Sequence, residues 1–461
     1  MRLTFAWPAR PPSSHHHAAT IVLMDETDLA QLPPYANIDF KSLAKTDPAF
    51  KTLWQKSSGH LDFQDPSTTV TLSKAILKTD FDLSLDVPDD RLCPPIPNRW
   101  NYVSWIQSLI DSTSPNYTST YDPDRLVTGL DIGTGASAIY TMLCLQTRPK
   151  WTMCATDIDK KSFDSAIRNL TINGLVTRTK MLQTIPENPL IPFQHLGVGK
   201  LDFTVCNPPF FTSLTDMRAS LQGEGKSAKP NAICTGAEVE MLCQGGDLGF
   251  VSRMVEESLL LREKVTWYTS MLGKLESAKA IITLLKSHGI ENRAVGVVEV
   301  GTAATKRWVV AWSFGDLRPP QSVARFERIA NEFLPFPTEY RIELPEGYDG
   351  DAVMVIDRLL SSLDLKWTWD GERMVGVGEA AQVVWNRAYR REHERKKKEA
   401  ALAGDRDRDT QMHGQDEMKV ALAFRVSIDK AQRVVVIEWL KGRDRVIWES
   451  FCGMLHRVFK K

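Results

Sequence analysis

Through the middle of the chain, short apolar runs alternate with longer amphipathic stretches, in the rhythm of strands and helices. Arg125-Leu-Val-Thr-Gly-Leu-Asp-Ile132 reads as a short strand. A glycine-rich turn follows, then a helical stretch from Ser137 to Leu145. Trp151 to Thr156 is a second strand, Lys160 to Asn173 a second helix and Leu201 to Cys206 a later strand. A long helix is expected from Phe250 to Lys264, a strand from Val265 to Leu272 and a helix from Ser277 to His288. Strands Ala294–Val300 and Arg307–Phe314 close the pattern. Strands alternating with helices predict an α/β fold with a mainly parallel, doubly wound, Rossmann-like sheet.

The flanks differ. Residues 35–110 are helical and loop-rich, and Pro94-Pro-Ile-Pro-Asn-Arg-Trp is a Pro-stopped loop leading into an amphipathic helix that runs through Ile110. Near 319 the character shifts at Pro319-Pro320, and Pro335 and Pro337 punctuate a linker. Strand Glu339–Leu344, helix Ala352–Leu363, strand Lys366–Trp369 and an alternating, strand-like Gln382–Tyr389 come next. A charged insert fills 390–417, then strands Lys419–Ile428 and Arg433–Trp439 and a helix Arg443–Phe459. The expected organisation is a leader over 1–24 and a catalytic unit over 25–318, made of a helical region (25–110) and a core (126–318). An accessory α+β domain over 319–461 completes it.

Length and composition agree with two or three units: 461 residues, 43% hydrophobic and 25% charged. No apolar run approaches the roughly 18–20 residues that span a bilayer. Charge is balanced, 57 basic against 57 acidic residues, which leaves room for a local basic patch. Seven scattered cysteines without a Cys-x-x-Cys pair suit a reducing compartment and argue against a structural zinc site. Residues 1–24 read as a disordered leader, with Met24 as an alternative start or a weak targeting signal as the other option. His15 to His17 do not make a metal site.

Three motifs carry chemistry. Asp131-Ile-Gly-Thr-Gly-Ala-Ser137 sits between a strand and a helix, where Gly133 and Gly135 allow a tight turn and close approach to a ligand. It lacks the third glycine of the dinucleotide fingerprint. An ordinary strand–helix turn would look the same. Asp157, 26 residues after Asp131, ends the next strand, where a carboxylate can accept from a ribose diol. The pair fits S-adenosylmethionine better than NAD, because that cofactor has no pyrophosphate to cradle. Asn207-Pro208-Pro209-Phe210, just past a strand end, suits methyl transfer to a planar, conjugated NH2. Such an amine is a poor nucleophile, since its lone pair is delocalised. The Asn207 side chain and the Pro208 carbonyl can accept its N–H bonds, and Phe210 can stack on the base.

Pro95-Ile-Pro-Asn-Arg-Trp-Asn-Tyr, Asp131 to Tyr140, Ala155-Thr-Asp-Ile-Asp, Cys206 to Phe211 and Trp267 to Lys274 together resemble the RNA adenine-N6 methyltransferases. That family includes the U6 small nuclear RNA enzyme and the bacterial large-subunit ribosomal RNA enzyme. The resemblance runs from about Tyr35 to Phe314, and length and tail favour the eukaryotic branch. It implies a class I methyltransferase fold, S-adenosylmethionine as cofactor, no metal, and a structured RNA hairpin as partner, U6 above all. It also implies a nuclear site of action, with a cytoplasmic pool allowed. By the same resemblance Arg99 reaches the cofactor carboxylate. Asp131, Gly133, Gly135 and Ser137 hold its methionine end, Asp157 its ribose, and Asn188 lies by its adenine. Asn207, Pro208, Pro209 and Phe210 are the catalytic tetrad, and Asn207 also touches the cofactor. Phe211, Thr235-Gly236, Gly245-Gly246, Lys274, Lys306 and Arg307 fall near the substrate groove.

Two departures from the family pattern stand out. Thr235-Gly236-Ala237 replaces Thr-Gly-Gly, and Ala304 stands where an arginine is common. Both bear on RNA affinity rather than on the reaction. The tail adds basic runs at Arg390–Lys398 and Lys441–Arg445, either solvated faces or phosphate contacts. The rival readings are a protein-glutamine methyltransferase, whose amide offers the same NH2, and a non-catalytic RNA-binding protein with a degenerate methyltransferase fold.

Overall fold

The computed structural model describes residues 32–222, 236–300, 306–325, 330–334, 337–345, 351–402 and 419–460. The leader, Thr235 and Ala304 lie outside them, as does 403–418 of the charged insert.

Helices α1 (Phe40–Thr46), α2 (Pro48–Lys56) and α3 (Pro66–Phe81) come first, each capped by an aspartate side chain that accepts from the first turn. Helix α4 (Ile96–Ser112) starts on Ile96-Pro97 and buries Trp100, Tyr102, Val103 and Ile106. Then β1 (Val127–Ile132), α5 (Ile139–Thr147), β2 (Trp151–Asp157), α6 (Lys160–Ile172), β3 (Thr179–Gln183) and β4 (Leu201–Cys206) follow. Helices α7 (Leu214–Gln222) and α8 (Gly246–Leu261), strand β5 (Val265–Leu272), helix α9 (Leu275–Ser287) and strands β6 (Asn292–Val298) and β7 (Arg307–Ser313) complete this part.

These seven strands form one sheet, in the order β3-β2-β1-β4-β5-β7-β6. All pairs from β3 to β5 are parallel, and β7 is antiparallel to both β5 and β6. Strands β1, β4 and β5 are buried on both faces, as the centre of a doubly wound sheet requires. Trp100, Trp267 and Trp312 are fully buried in its core. Burying a large apolar side chain stabilises by roughly 1.5–3 kcal/mol.

The second sheet joins β8 (Glu339–Glu343), β9 (Lys366–Asp370), β10 (Val375–Ala380), β11 (Leu422–Asp429) and β12 (Val434–Lys441), in the order β8-β12-β11-β10-β9 and antiparallel throughout. Helices α10 (Ala352–Ser361) and α12 (Arg445–Phe459) supply apolar side chains to its core, where Phe424 and Phe451 meet with ring centroids 4.0 Å apart. Gln382–Tyr389 is not a strand. Val384 and Trp385 are buried, but Asn386 accepts from the Tyr389 N–H at 2.7 Å and caps helix α11 (Arg387–Leu402). The alternation of apolar residues there marks a turn that dips into the core. Strand β10 escaped the sequence pattern because it carries Gly376 and Gly378 at buried positions. A Cβ at either would meet the Trp367 or Phe424 ring at 2.2–2.3 Å.

Candidate active site

The reversal of strand order between β1 and β4 opens a crevice at the carboxyl ends of the strands, the usual ligand position in such sheets. It holds a cavity of about 380 Å³. Gly133 and Gly135 turn the chain there with φ of +67° and +66°. A Cβ on Gly133 would touch nothing within 4 Å of it. Backbone conformation and the space left for a ligand, not a protein neighbour, therefore demand the glycine. The turn is pinned to the end of β2. The Thr134 N–H donates to the Thr156 carbonyl at 2.8 Å, and the Gly135 N–H to Asp157 Oδ2 at 2.8 Å. Asp157 Oδ1 accepts from the Asp159 N–H at 2.9 Å. Each Asp157 oxygen keeps a lone pair, and the side chain lines the cavity. Burial pushes the Asp157 pKa up.

Helix α5 begins at Ile139, two residues later than the sequence pattern suggests, because Ala138 takes a left-handed φ of +50°. Ser137 consequently stays in the loop and lines the cavity. Asp131, expected at the cofactor, is fully buried behind the turn and does not line the cavity. Its Oδ2 accepts from the Thr134 and Thr141 hydroxyls at 2.7 and 2.9 Å, so it braces the loop.

Arg99, from the first turn of α4, comes in from the other side. It is 7% exposed, its Nη1 lies 3.5 Å from Asn207 Oδ1, and 5.7 Å separates its guanidinium from the Tyr140 ring centroid. Among the described residues no carboxylate lies within ion-pair distance of it. A buried guanidinium without an anion is costly. An incoming carboxylate would remove that cost. The Tyr140 hydroxyl, also on the cavity, has no hydrogen-bond partner among the described residues. Asn207, Pro208 and Pro209 complete this wall, and Asn188 lines the far end. The Asn188 loop is held by Arg253, which donates to the Pro186 carbonyl at 3.3 Å and to the Asn188 carbonyl.

Phe210 points away from the cavity. The Arg307 guanidinium sits 5.1 Å over its ring, and Gly273, just before Lys274, packs beneath it. Phe211 is held by its backbone, donating to Met241 at 3.1 Å and accepting from Cys243 at 3.0 Å. Lys274 is exposed at the start of α9, and Lys306 pairs with Glu299 at 3.0 Å. The structure thus gathers Arg99, Gly133, Gly135, Ser137, Asp157, Asn188, Asn207, Pro208 and Pro209 on one cavity. Phe210, the last member of the tetrad, lies off the cavity in a pair with Arg307.

Tyr140, Glu240, Cys243, Phe250 and Arg253 also line the cavity and were not anticipated as site residues. Glu240 accepts from the Leu92 and Ala237 N–H groups at 3.1 and 2.8 Å, tying the 236–243 segment to the loop before α4. Its signal was absent because no motif surrounds it. Among the described residues no cluster of three or more His, Cys, Asp or Glu side chains could hold a metal. No described helix is long and apolar enough to cross a membrane.

This sheet order, with a glycine turn, a strand-end acid and the Asn-Pro-Pro of an Asn-Pro-Pro-Phe tetrad around one cavity, defines a class I methyltransferase that uses S-adenosylmethionine. Residues 34–316 match the model of an RNA methyltransferase family, and the chain belongs to that family. It is 31% identical over 406 residues to the U6 small nuclear RNA (adenine-(43)-N(6))-methyltransferase of Schizosaccharomyces pombe, spanning 87% of this chain and 96% of that protein. With the RNA N(6)-adenosine-methyltransferase METTL16 of Homo sapiens it shares 34% identity over 283 residues, 60% of this chain but only 49% of the human protein. The crystal structure of the hMettl16 catalytic domain in complex with MAT2A 3′UTR hairpin 6 superposes with a TM-score of 0.52 at 33% identity, covering 60% of this chain and 94% of that one. Family membership sets aside the protein-glutamine methyltransferase reading.

Proposed function

We propose that this chain transfers a methyl group from S-adenosylmethionine to the N6 amine of an adenosine in a structured RNA hairpin, with U6 small nuclear RNA as substrate and the nucleus as its place of action. The observation that carries the reading is the contact of Arg99 with Asn207 across the cavity. It brings the cofactor end and the amine-accepting tetrad within one hydrogen bond of each other. The relatives named for U6 and for RNA N6-adenosine methylation support the choice of substrate.

The residues present fit the cofactor. The unpaired Arg99 guanidinium suits the methionine carboxylate, the open face of Gly133 its backbone, and the free lone pairs of Asp157 the ribose diol. Asn188 closes on the adenine. When bound, the cofactor supplies an electrophilic methyl group on a sulfonium. The remaining work belongs to the chain. Asn207 Oδ1 and the Pro208 carbonyl accept the two N–H bonds of the target amine and favour a pyramidal nitrogen whose lone pair faces the methyl group. Two prolines fix the acceptors, so little reorganisation is needed. Phe210, stacked under Arg307, offers its exposed edge as a wall for the flipped base.

Asn207→Ala tests the assignment by single-turnover methylation of a short hairpin carrying one target adenosine, with RNA affinity measured in parallel. Loss of one preorganised polar contact should lower the rate by about 10²–10³ while RNA binding changes little. A rate near that of the parent removes the tetrad from the active site. Joint collapse of rate and binding makes Asn207 structural.

A further inference from the structure

A second cavity, of about 160 Å³, opens between the two sheets and is lined by Arg262, His288, Glu291, Asn292, Arg318 and Arg443 among others. It has less than half the volume of the cofactor cavity, which suits a compact ion rather than a nucleotide. It lies at the amino ends of β5 and β6. The cofactor cavity is at the opposite end of the sheet, and the eight residues of β5 separate the two by about 25 Å at ~3.3 Å per residue.

Arg318 is the buried member of the group, 5% exposed. Its Nε donates to the Gly442 carbonyl at 3.0 Å, and its guanidinium lies 4.6 Å over the Trp439 ring. Among the described residues its two terminal nitrogens have no hydrogen-bond partner and no carboxylate within ion-pair distance. They border the cavity. Arg443 and Arg262 stand at the rim. Arg443 donates to the Phe314 carbonyl at 2.7 Å and pairs with Glu263 at 2.9 Å, and Arg262 lies 4.8 Å over the Phe314 ring. His288 faces Glu256 at 3.4 Å. Glu291 is the one acid on the lining, against three guanidinium groups. Burial pushes the Arg318 pKa down to about 10, against the opposing pull of the Glu291 and Asp316 carboxylates, with Arg443 and Arg293 adding smaller downward pushes. The rim charges have partners, but the terminal nitrogens of Arg318 face the cavity without one among the described residues.

We propose that this cleft is a binding site for a phosphate-class oxyanion, held by the free N–H groups of Arg318 and by Arg443 and Arg262. Guanidinium forks match the oxygens of such an anion two at a time. The bound anion joins the core to the second sheet, since Arg318 follows β7 while Arg443 follows β12.

The anion is either free phosphate or a phosphate of an RNA strand, and one experiment separates the sources. The full chain is titrated with inorganic phosphate at matched ionic strength, read by calorimetry and by thermal unfolding. Saturable binding at one site per chain is expected, with a midpoint that rises with phosphate. Arg318→Gln and Arg443→Gln should each weaken the Kd about tenfold or more, the loss expected for a charge-assisted hydrogen bond. Lys441→Gln, a nearby cation off the lining, should leave it unchanged. Should Arg318→Gln fail to fold, the exposed Arg443→Gln and Arg262→Gln carry the test. Absence of saturable binding, or equal binding by both rim variants, overturns the proposal. If phosphate lowers RNA affinity in the parent but not in Arg443→Gln, the site takes an RNA phosphate. If RNA affinity is unmoved while phosphate binds, it takes the free ion. Phosphate binding and RNA affinity are read without methyl transfer, so the outcome is independent of the reaction assigned above.

Discussion

The carboxyl group of Asp131 is fully enclosed, with Oδ2 accepting from two threonine hydroxyls and Oδ1 from nothing among the described residues. Burial pushes its pKa up from 3.8 to about 6. An acid with a raised folded-state pKa binds its proton more tightly when folded. Its contribution to stability is therefore greatest below the unfolded value and declines as pH rises from about 4 through about 6. Asp131→Asn keeps an acceptor for the threonines and removes the ionisation. The variant should gain stability relative to the parent as pH rises across that window, read as the difference in unfolding midpoints. A difference that stays constant between about pH 4 and pH 7 would show that Asp131 does not titrate there. The residues legible in the sequence were those whose chemistry is local. Gly133, Asp157 and Asn207 each announce themselves within a few positions of a strand end. Tyr140, Glu240 and Arg253 reach the same cavity from separate segments, and only the fold brings them there. Asp131 shows the limit of that reading, because a strand-end acid looks the same whether it faces the ligand or the turn behind it.

At the scale of elements, periodicity served well where both faces of a strand are buried and failed where packing is unusual. Strand β3 is a half-exposed edge with a mixed Thr-Lys-Met-Leu-Gln run, and β10 depends on glycines lying under aromatic rings. Helix α11 raises a question of charge. Over Arg390–Lys398 it carries six lysines and arginines. Some of its charge is used locally. Lys396 pairs with Glu392 at 2.9 Å, and Tyr389 stacks on His393 while donating to Asp364. Exposed pairs of this kind are worth about 0–1 kcal/mol and yield readily to a phosphate. Neutralising the six basic residues should lower RNA affinity and flatten its salt dependence, the log–log slope falling by about 0.7–0.9 for each phosphate no longer neutralised. An unaltered slope assigns the run to a solvated helix face. The run at Lys441–Arg445 already divides by geometry: Arg443 turns toward Phe314, and Arg445 pairs with Glu449 at 2.6 Å.

The described residues form two hydrophobic cores, one around each sheet. Sequence character placed the change near 319, but Ala324, Ala330 and Leu334 pack into the first core, and Trp105 Nε1 donates to the Val323 carbonyl at 3.1 Å. The prolines at 319–320 turn the chain back along the methyltransferase sheet rather than away from it. We therefore propose that the division falls after Leu334. Among the described residues the two units meet along one seam: Leu317 bridges Lys441, the Arg318 N–H donates to the Leu440 carbonyl at 2.8 Å and its side chain to Gly442, Gly442 donates to the Asp316 carbonyl at 2.9 Å, Arg443 reaches Phe314 and Glu263, and Tyr117 donates to Glu379 at 2.7 Å while its carbonyl accepts from Arg425. These contacts are mostly polar, with Arg318 buried over Trp439, and each unit has its own buried aromatics. A chain ending at Leu334 should then fold, unfold cooperatively and keep the cofactor affinity of the full protein, because every described residue on the cofactor cavity precedes that point. A chain ending at Phe314 should be less stable, since it lacks the segment that covers β6 and Trp105. RNA affinity should fall in both, since the basic runs of the tail are gone. Equal stability of the two truncations would return the division to 319. Full RNA affinity in either would leave the second sheet without a part in substrate binding.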